Sequence, residues 1–124
     1  MSETPEVLSQ AKLKQIRDEM KTRGITWILD LFLRELPNYL NNLKEAIANG
    51  DGEGLYLAAH KFKGSCSNVG AEGIVALCKQ LEILGHANEL QTASQLIENE
   101  LEQEIKRLEQ AIFQQKEKEK TNSS

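Results

Sequence analysis

Residues 58–70 bring a histidine, two lysines and two glycines into one short run: Ala58-Ala59-His60-Lys61-Phe62-Lys63-Gly64-Ser65-Cys66-Ser67-Asn68-Val69-Gly70. On a helical wheel of about 100° per residue, Leu55, Ala59, Phe62 and Cys66 share an apolar stripe and His60 falls roughly 150° from its centre. The imidazole therefore points to solvent. Tyr56, Leu57, Lys63, Gly64 and Ser67 lie within roughly 60° of it and form its immediate surface, with Lys61 further round. Gly64 is informative because a glycine inside a helix costs about 1 kcal/mol relative to alanine. One turn after His60, the missing side chain opens the ring to a bulky partner. Lys63 can set its ammonium beside the ring and attract an anion. An accessible nucleophilic imidazole with a neighbouring cation suits transfer of an anionic group such as a phosphoryl.

Each of these residues has a plainer reading. A lone surface histidine on a helix commonly has no function, and lysines commonly form a solvated face. Gly64, which stability opposes, is what weighs against that reading. Other features carry less. Asn49-Gly50-Asp51-Gly52-Glu53-Gly54 imitates the first half of a calcium loop, but position twelve is His60 where a bidentate glutamate is needed. His86, after Gly85, has no cysteine or carboxylate at ligand spacing and reads as a surface or capping side chain. Cys66 and Cys78 are too few for a disulfide scaffold and read as reduced core thiols; no metal site is expected. Glu82 alone would be a solvated acid. Trp27 and Leu31, four apart and off the main stripe, either pack under an N-terminal helix or stand exposed for docking.

The elements that must position these groups are helical throughout. Apolar residues recur at three and four positions, and no segment alternates as a strand would. A short first helix is expected over residues 9–22 on Leu13, Ile16 and Met20, ended by Arg23-Gly24. A second, beginning at the N-cap residue Thr26, runs over 26–49 on Ile28, Leu29, Phe32, Leu33, Leu36, Leu40, Leu43 and Ile47, kinked but not broken at Pro37. The third, 52–68, is capped by Asp51 and closed by Gly70; the fourth, 71–84, ends at Gly85. The last, 88–115, carries Leu90, Ala93, Ile97, Leu101, Ile105, Leu108 and Ile112, after which KEKEKTNSS should fray. With short connections, this predicts an all-α domain: an up-down-up-down antiparallel four-helix bundle with an additional short N-terminal helix.

At 124 residues and 13.9 kDa, the chain holds a single domain, with residues 1–8 and 116–124 expected to be flexible. Hydrophobic residues at 40% and charged residues at 27% are those of an ordinary globule, which argues against disorder. A net charge of −4 argues against a nonspecific nucleic-acid binder. No apolar run approaches a membrane span and MSETPEV lacks the layout of a signal peptide, so a cytoplasmic protein without a membrane partner is expected.

The run Ala59-His60-Lys61-Phe62-Lys63-Gly64-Ser65-Cys66-Ser67-Asn68-Val69-Gly70 resembles the motif A-H-x-L-K-G-S-S-x-x-x-G of the histidine-containing phosphotransfer (HPt) domains of multistep phosphorelays. The likeness extends to Phe32-Leu33-Arg34-Glu35-Leu36-Pro37, Ala46-Ile47-Ala48-Asn49-Gly50-Asp51 and Leu77-Cys78-Lys79-Gln80-Leu81-Glu82, and so covers about residues 25–108. Phe62 stands for the usual leucine and Cys66 for the usual serine, keeping the apolar or small character. The resemblance implies that His60 is the phosphoacceptor, that Lys63 assists with phosphate charge, that Gly64 gives access, and that Glu82 orients the ring. It implies a monomeric carrier that takes a phosphoryl group from the aspartyl phosphate of one response-regulator receiver domain and passes it to another, charged by a hybrid sensor histidine kinase. Leu57, Lys61, Ser67 and Trp27 would form the docking face. No cofactor is expected on this chain; Mg²⁺ would sit on the receiver. No glycine-rich phosphate loop or kinase-type sequence is present, so ATP is not the expected donor. The alternative from another class is a non-transferring helical adaptor, which would have no reason to keep Gly64 against its helix cost.

Overall fold

The computed structural model describes residues 5–19 and 24–122. Met20, Thr22 and Arg23, expected at the end of the first helix, lie outside them, as do residues 1–4 and 123–124. The described residues form helices and no strands: α1 (Gln10–Glu19), α2 (Thr26–Ala48), α3 (Gly52–Val69), α4 (Glu72–His86), α5 (Leu90–Leu96), a π turn (Ile97–Leu101) and α6 (Glu102–Asn122). Backbone angles stay helical at both joints of the π turn (Ile97 φ −62, ψ −49; Glu102 φ −63, ψ −35), so α5 and α6 are one continuous rod. With α2, α3 and α4 it makes the antiparallel four-helix bundle, and α1 covers one end.

Sequence spacing explains the π turn. Ala93, Ile97, Leu101 and Ile105 are all buried and follow one another at intervals of four. In a regular α-helix each such step overshoots by about 40°, so the stripe would drift off the core by about 120°. The wider π turn absorbs that drift and returns Leu108 and Ile112 to the interior, where both are fully buried.

Helix ends follow local chemistry in most places. Asp51 accepts a hydrogen bond from the Gly54 amide at 2.8 Å and so caps α3. Gly70 closes it in the left-handed conformation, φ 81, as the sequence predicts. The start of α2 is a correction: Ile25 occupies the cap position in helical geometry, no side chain caps it, and Thr26 is the first helical residue. Ile25 is buried, so packing decides that boundary in place of a capping hydroxyl. The helix runs unbroken through Pro37.

Two further expectations are corrected. α4 continues past Gly85 to His86, with Asn88 taking the positive φ at the turn. Gly85 is instead a crossing point: a Cβ there would sit 2.7 Å from the Gly52 carbonyl oxygen and 2.8 Å from the Tyr56 amide nitrogen. Only glycine lets α3 and α4 approach this closely. The C-terminal tail, expected to fray from residue 116, is helical through Asn122. Arg17 on α1 pairs with Glu119 at 2.6 Å, Gln115 donates to the same carboxylate, and Lys116 pairs with Asp30 on α2. At the other terminus Leu8 is buried, and the Ser9 amide bonds the Gly70 carbonyl at 2.7 Å. No helix among the described residues is long and apolar enough to cross a membrane.

Candidate functional site

The close approach at Gly52 and Gly85 brings one face of α3 against one face of α4, and the functional side chains lie along that seam. Glu53, Tyr56, His60 and Lys63 follow each other on α3 at helical spacing, while Glu82 and His86 stand one turn apart on α4. Beneath them Leu55, Ala59, Phe62 and Cys66 are fully buried against Ile74, Cys78 and Leu81. This fixes α3 in rotation, so His60 is carried outward. Tyr39 on α2 adds a second restraint: it stacks on Phe62 at 5.0 Å and shares a hydrogen bond with Ser65.

His60 is exposed, with 59% of its side-chain surface accessible, and its Nδ1 lies 2.7 Å from Glu82 Oε2. The other carboxylate oxygen, Oε1, accepts a hydrogen bond from Lys63 Nζ at 2.8 Å. Glu82 itself is nearly buried, at 12%. Burial is the largest single influence on its carboxyl and pushes the pKa up. The hydrogen bonds from Lys63 and His60, with their charges, together outweigh it and hold the group below the ordinary carboxylate value. An ionised carboxylate can only accept, so Nδ1 is the donor in this contact, and in the neutral tautomer that fits it the lone pair belongs to Nε2.

The remaining expected site residues separate into two groups. Gly64 is exposed beside His60, and a Cβ added there would meet nothing within 4 Å. Lys61 and Ser67 are exposed on the same helix, and Leu57 leaves 62% of its surface to solvent. Trp27 is on α2, away from the seam in sequence and partly exposed. Lys63 is half-buried, and its ammonium bonds the same Glu82 carboxylate that His60 contacts.

Two features escaped the sequence reading. His86, read there as a surface or capping side chain, is exposed and has its Nδ1 3.0 Å from Glu53 Oε1. It also lies against Tyr56, with ring centroids 3.9 Å apart, and Tyr56 in turn stacks on His60 at 5.8 Å. The small pair Gly52 and Gly85 was the available signal, since glycines facing each other mark a close helix crossing that brings flanking side chains into register. Cys66 and Cys78 are buried as expected; burial pushes the Cys66 thiol well up and the Cys78 thiol to about 12.

Comparison with known proteins extends this description. The family model described as Hpt domain matches residues 28–111. Phosphorelay protein LuxU of Vibrio harveyi is 30% identical over 88 residues, which span 69% of this chain and 75% of that protein. The crystal structure of histidine-containing phosphotransfer protein B (HptB) from Pseudomonas aeruginosa PAO1 superposes with a TM-score of 0.82 at 31% identity, covering 90% of this chain and 96% of that one. Its four-helix bundle is the architecture described above. The family model spans well over half of the chain, and the chain therefore belongs to the Hpt family: it is a histidine-containing phosphotransfer protein of a phosphorelay, a carrier of phosphoryl groups and not an enzyme.

Proposed function

We propose that His60 is the phosphoacceptor, loaded from the aspartyl phosphate of one receiver domain and unloaded onto the aspartate of another. The observation that carries the reading is the 2.7 Å contact between His60 Nδ1 and the ionised Glu82 carboxylate. In the transfer step the Nε2 lone pair attacks phosphorus, a new N–P bond forms, and the bond between phosphorus and the aspartyl oxygen breaks. The aspartate leaves as its carboxylate. The Nδ1 proton stays in place, so the ring becomes cationic, and Glu82 stands where that charge develops. Lys63 holds Glu82 by its other oxygen. Unloading is the same step in reverse on a second receiver.

Access and docking follow from the same surface. The open space over Gly64 admits the edge of a receiver domain, and Leu57 offers an apolar contact one turn before the histidine. Lys61 and Ser67 form a polar rim that complements an acidic aspartyl pocket, and Trp27 is the more distant contact. A hybrid sensor kinase, through its own receiver, is the proposed donor.

The test is incubation of the full chain with receiver domains carrying labelled aspartyl phosphate. Label should move to this protein in an acid-labile, base-stable form and move on when a second, unlabelled receiver is added. The His60→Gln variant should take up none. Undiminished labelling of that variant would overturn the assignment, and no uptake by the wild-type chain would favour the adaptor reading.

A further inference from the structure

We propose that Tyr56 is a positioning residue for His60, with His86 and Glu53 as the support that holds Tyr56 in place. The inference rests on His60 being the phosphoacceptor. The hydrogen bond from Nδ1 to Glu82 fixes one atom of the imidazole but leaves the ring free to rock about that bond. Because the Nε2 lone pair lies in the ring plane, rocking swings it off the line of the breaking bond to phosphorus. Tyr56 supplies the missing constraint: its ring stacks with that of His60, with the centroids 5.8 Å and the planes 22° apart.

Tyr56 is itself held from the other side. The His86 ring sits 3.9 Å from it, and His86 is anchored by Glu53 at 3.0 Å. Glu82 and His86 are one turn apart on α4, whereas Glu53, Tyr56 and His60 ascend α3. The helix that grips Nδ1 therefore also backs the shelf, and the contacts run in a chain between the two helices: Glu53, His86, Tyr56, His60 and Glu82. The glycine pair Gly52 and Gly85 keeps the two helices close enough for that chain to form. When phosphorus bonds to Nε2 the imidazole turns cationic, and a tyrosine face against a cation is favourable at an exposed site. Positioning and charge thus act in the same direction. Losing the tyrosine should slow transfer by roughly three- to fivefold.

The test compares Tyr56→Leu, Tyr56→Phe and His86→Gln with the wild-type chain under two phosphoryl donors. Phosphoramidate reports on the ring alone: its P–N bond breaks, ammonia leaves, and the phosphoryl goes to Nε2 without any docking partner. A receiver aspartyl phosphate at varied concentration separates the saturated rate from the half-saturating concentration. Tyr56→Leu should slow phosphoramidate labelling and the saturated receiver rate by the same factor, without moving half-saturation. Tyr56→Phe should restore both, and His86→Gln should show a smaller loss in both. In imidazole NMR spectra the His60 ring protons should lose their upfield displacement in Tyr56→Leu and keep it in Tyr56→Phe. An unchanged rate in Tyr56→Leu, a change confined to half-saturation, or a failure of Tyr56→Phe to restore the rate would overturn the proposal. If the wild-type chain takes label from neither donor, the phosphoacceptor reading fails and this one with it.

Discussion

The molecule carries two exposed histidines, His60 and His86, each with Nδ1 against a glutamate, and they differ in what stands behind that glutamate. Behind His60 the carboxylate is Glu82, nearly buried at 12% and shared with Lys63. Behind His86 it is Glu53, which is 70% exposed on the first turn of α3. An exposed ion pair contributes little, because water competes for both partners and long side chains must be ordered to form it. A desolvated carboxylate gripped on both oxygens is fixed in position before any partner arrives. On the proposed reading, hydrogen-bonded pairing alone does not make an acceptor histidine, and a rigid, charged second partner does.

The largest effect expected from this contrast is at the rings themselves. Replacing His60 by glutamine should abolish phosphoryl uptake with little change in melting temperature, whereas His86→Gln should still be labelled to full stoichiometry. Intact-mass spectrometry after incubation with a phosphorylated receiver reads both directly. The carboxylates come next. Glu82→Gln removes a hydrogen bond to a charged group worth about 1.5 to 3 kcal/mol, so transfer should slow by roughly ten- to a hundredfold. The equivalent Glu53→Gln should stay within about twofold, as an exposed pair would. Equal losses in the two variants, measured by rapid quench, would remove the distinction between the pairs.

Much of this contrast was visible in the sequence because its first half is local. The outward face of His60, its neighbours Tyr56, Leu57 and Gly64, and the buried stripe beneath follow from positions on one helix. Glu82 could be named only through the family resemblance, since nothing on α3 indicates which residue of α4 will face it. Lys63 lies on the face the sequence indicates, but its contact with Glu82 was not legible there, because a charge counted on one helix does not reveal an acid on the next. Gly85 was read as a helix end because glycines often are; only the opposing Gly52 shows it to be a crossing. The interval-of-four run from Ala93 to Ile105 already contained the π turn, but regular helix geometry was assumed. The charged tail looked solvated because Arg17 and Asp30, which hold it, are distant in sequence.

Smaller expected effects sharpen the picture around His60. Leu57, exposed beside it, should contribute about 1.5 to 3 kcal/mol if fully covered by a receiver. Leu57→Asp should therefore weaken receiver binding at least about tenfold in calorimetric titration while the fold is retained. Gly64→Ala meets open space, so it should leave stability unchanged or raise it by up to about 1 kcal/mol in thermal denaturation, with Gly64→Gln slowing transfer by crowding the ring. The smallest effect concerns acid. The Glu82 carboxyl is held below its ordinary value in the folded chain, so its contribution to stability is complete above the unfolded value of about 4.3. It is lost as pH falls through the lower folded value. Wild type and Glu82→Gln should accordingly converge in stability when urea denaturation is followed downward from pH 5.

The central claim is that Glu82 occupies Nδ1 and leaves Nε2 to react, and it is tested most directly by finding which ring nitrogen holds phosphorus. Full-length protein labelled with ¹⁵N at histidine, loaded from a receiver aspartyl phosphate, can be examined by ³¹P–¹⁵N coupling. The account predicts a single phosphohistidine, at His60, with phosphorus bonded to Nε2 and the Nδ1 proton retained. Phosphorus on Nδ1 of His60, or on either nitrogen of His86, would contradict it.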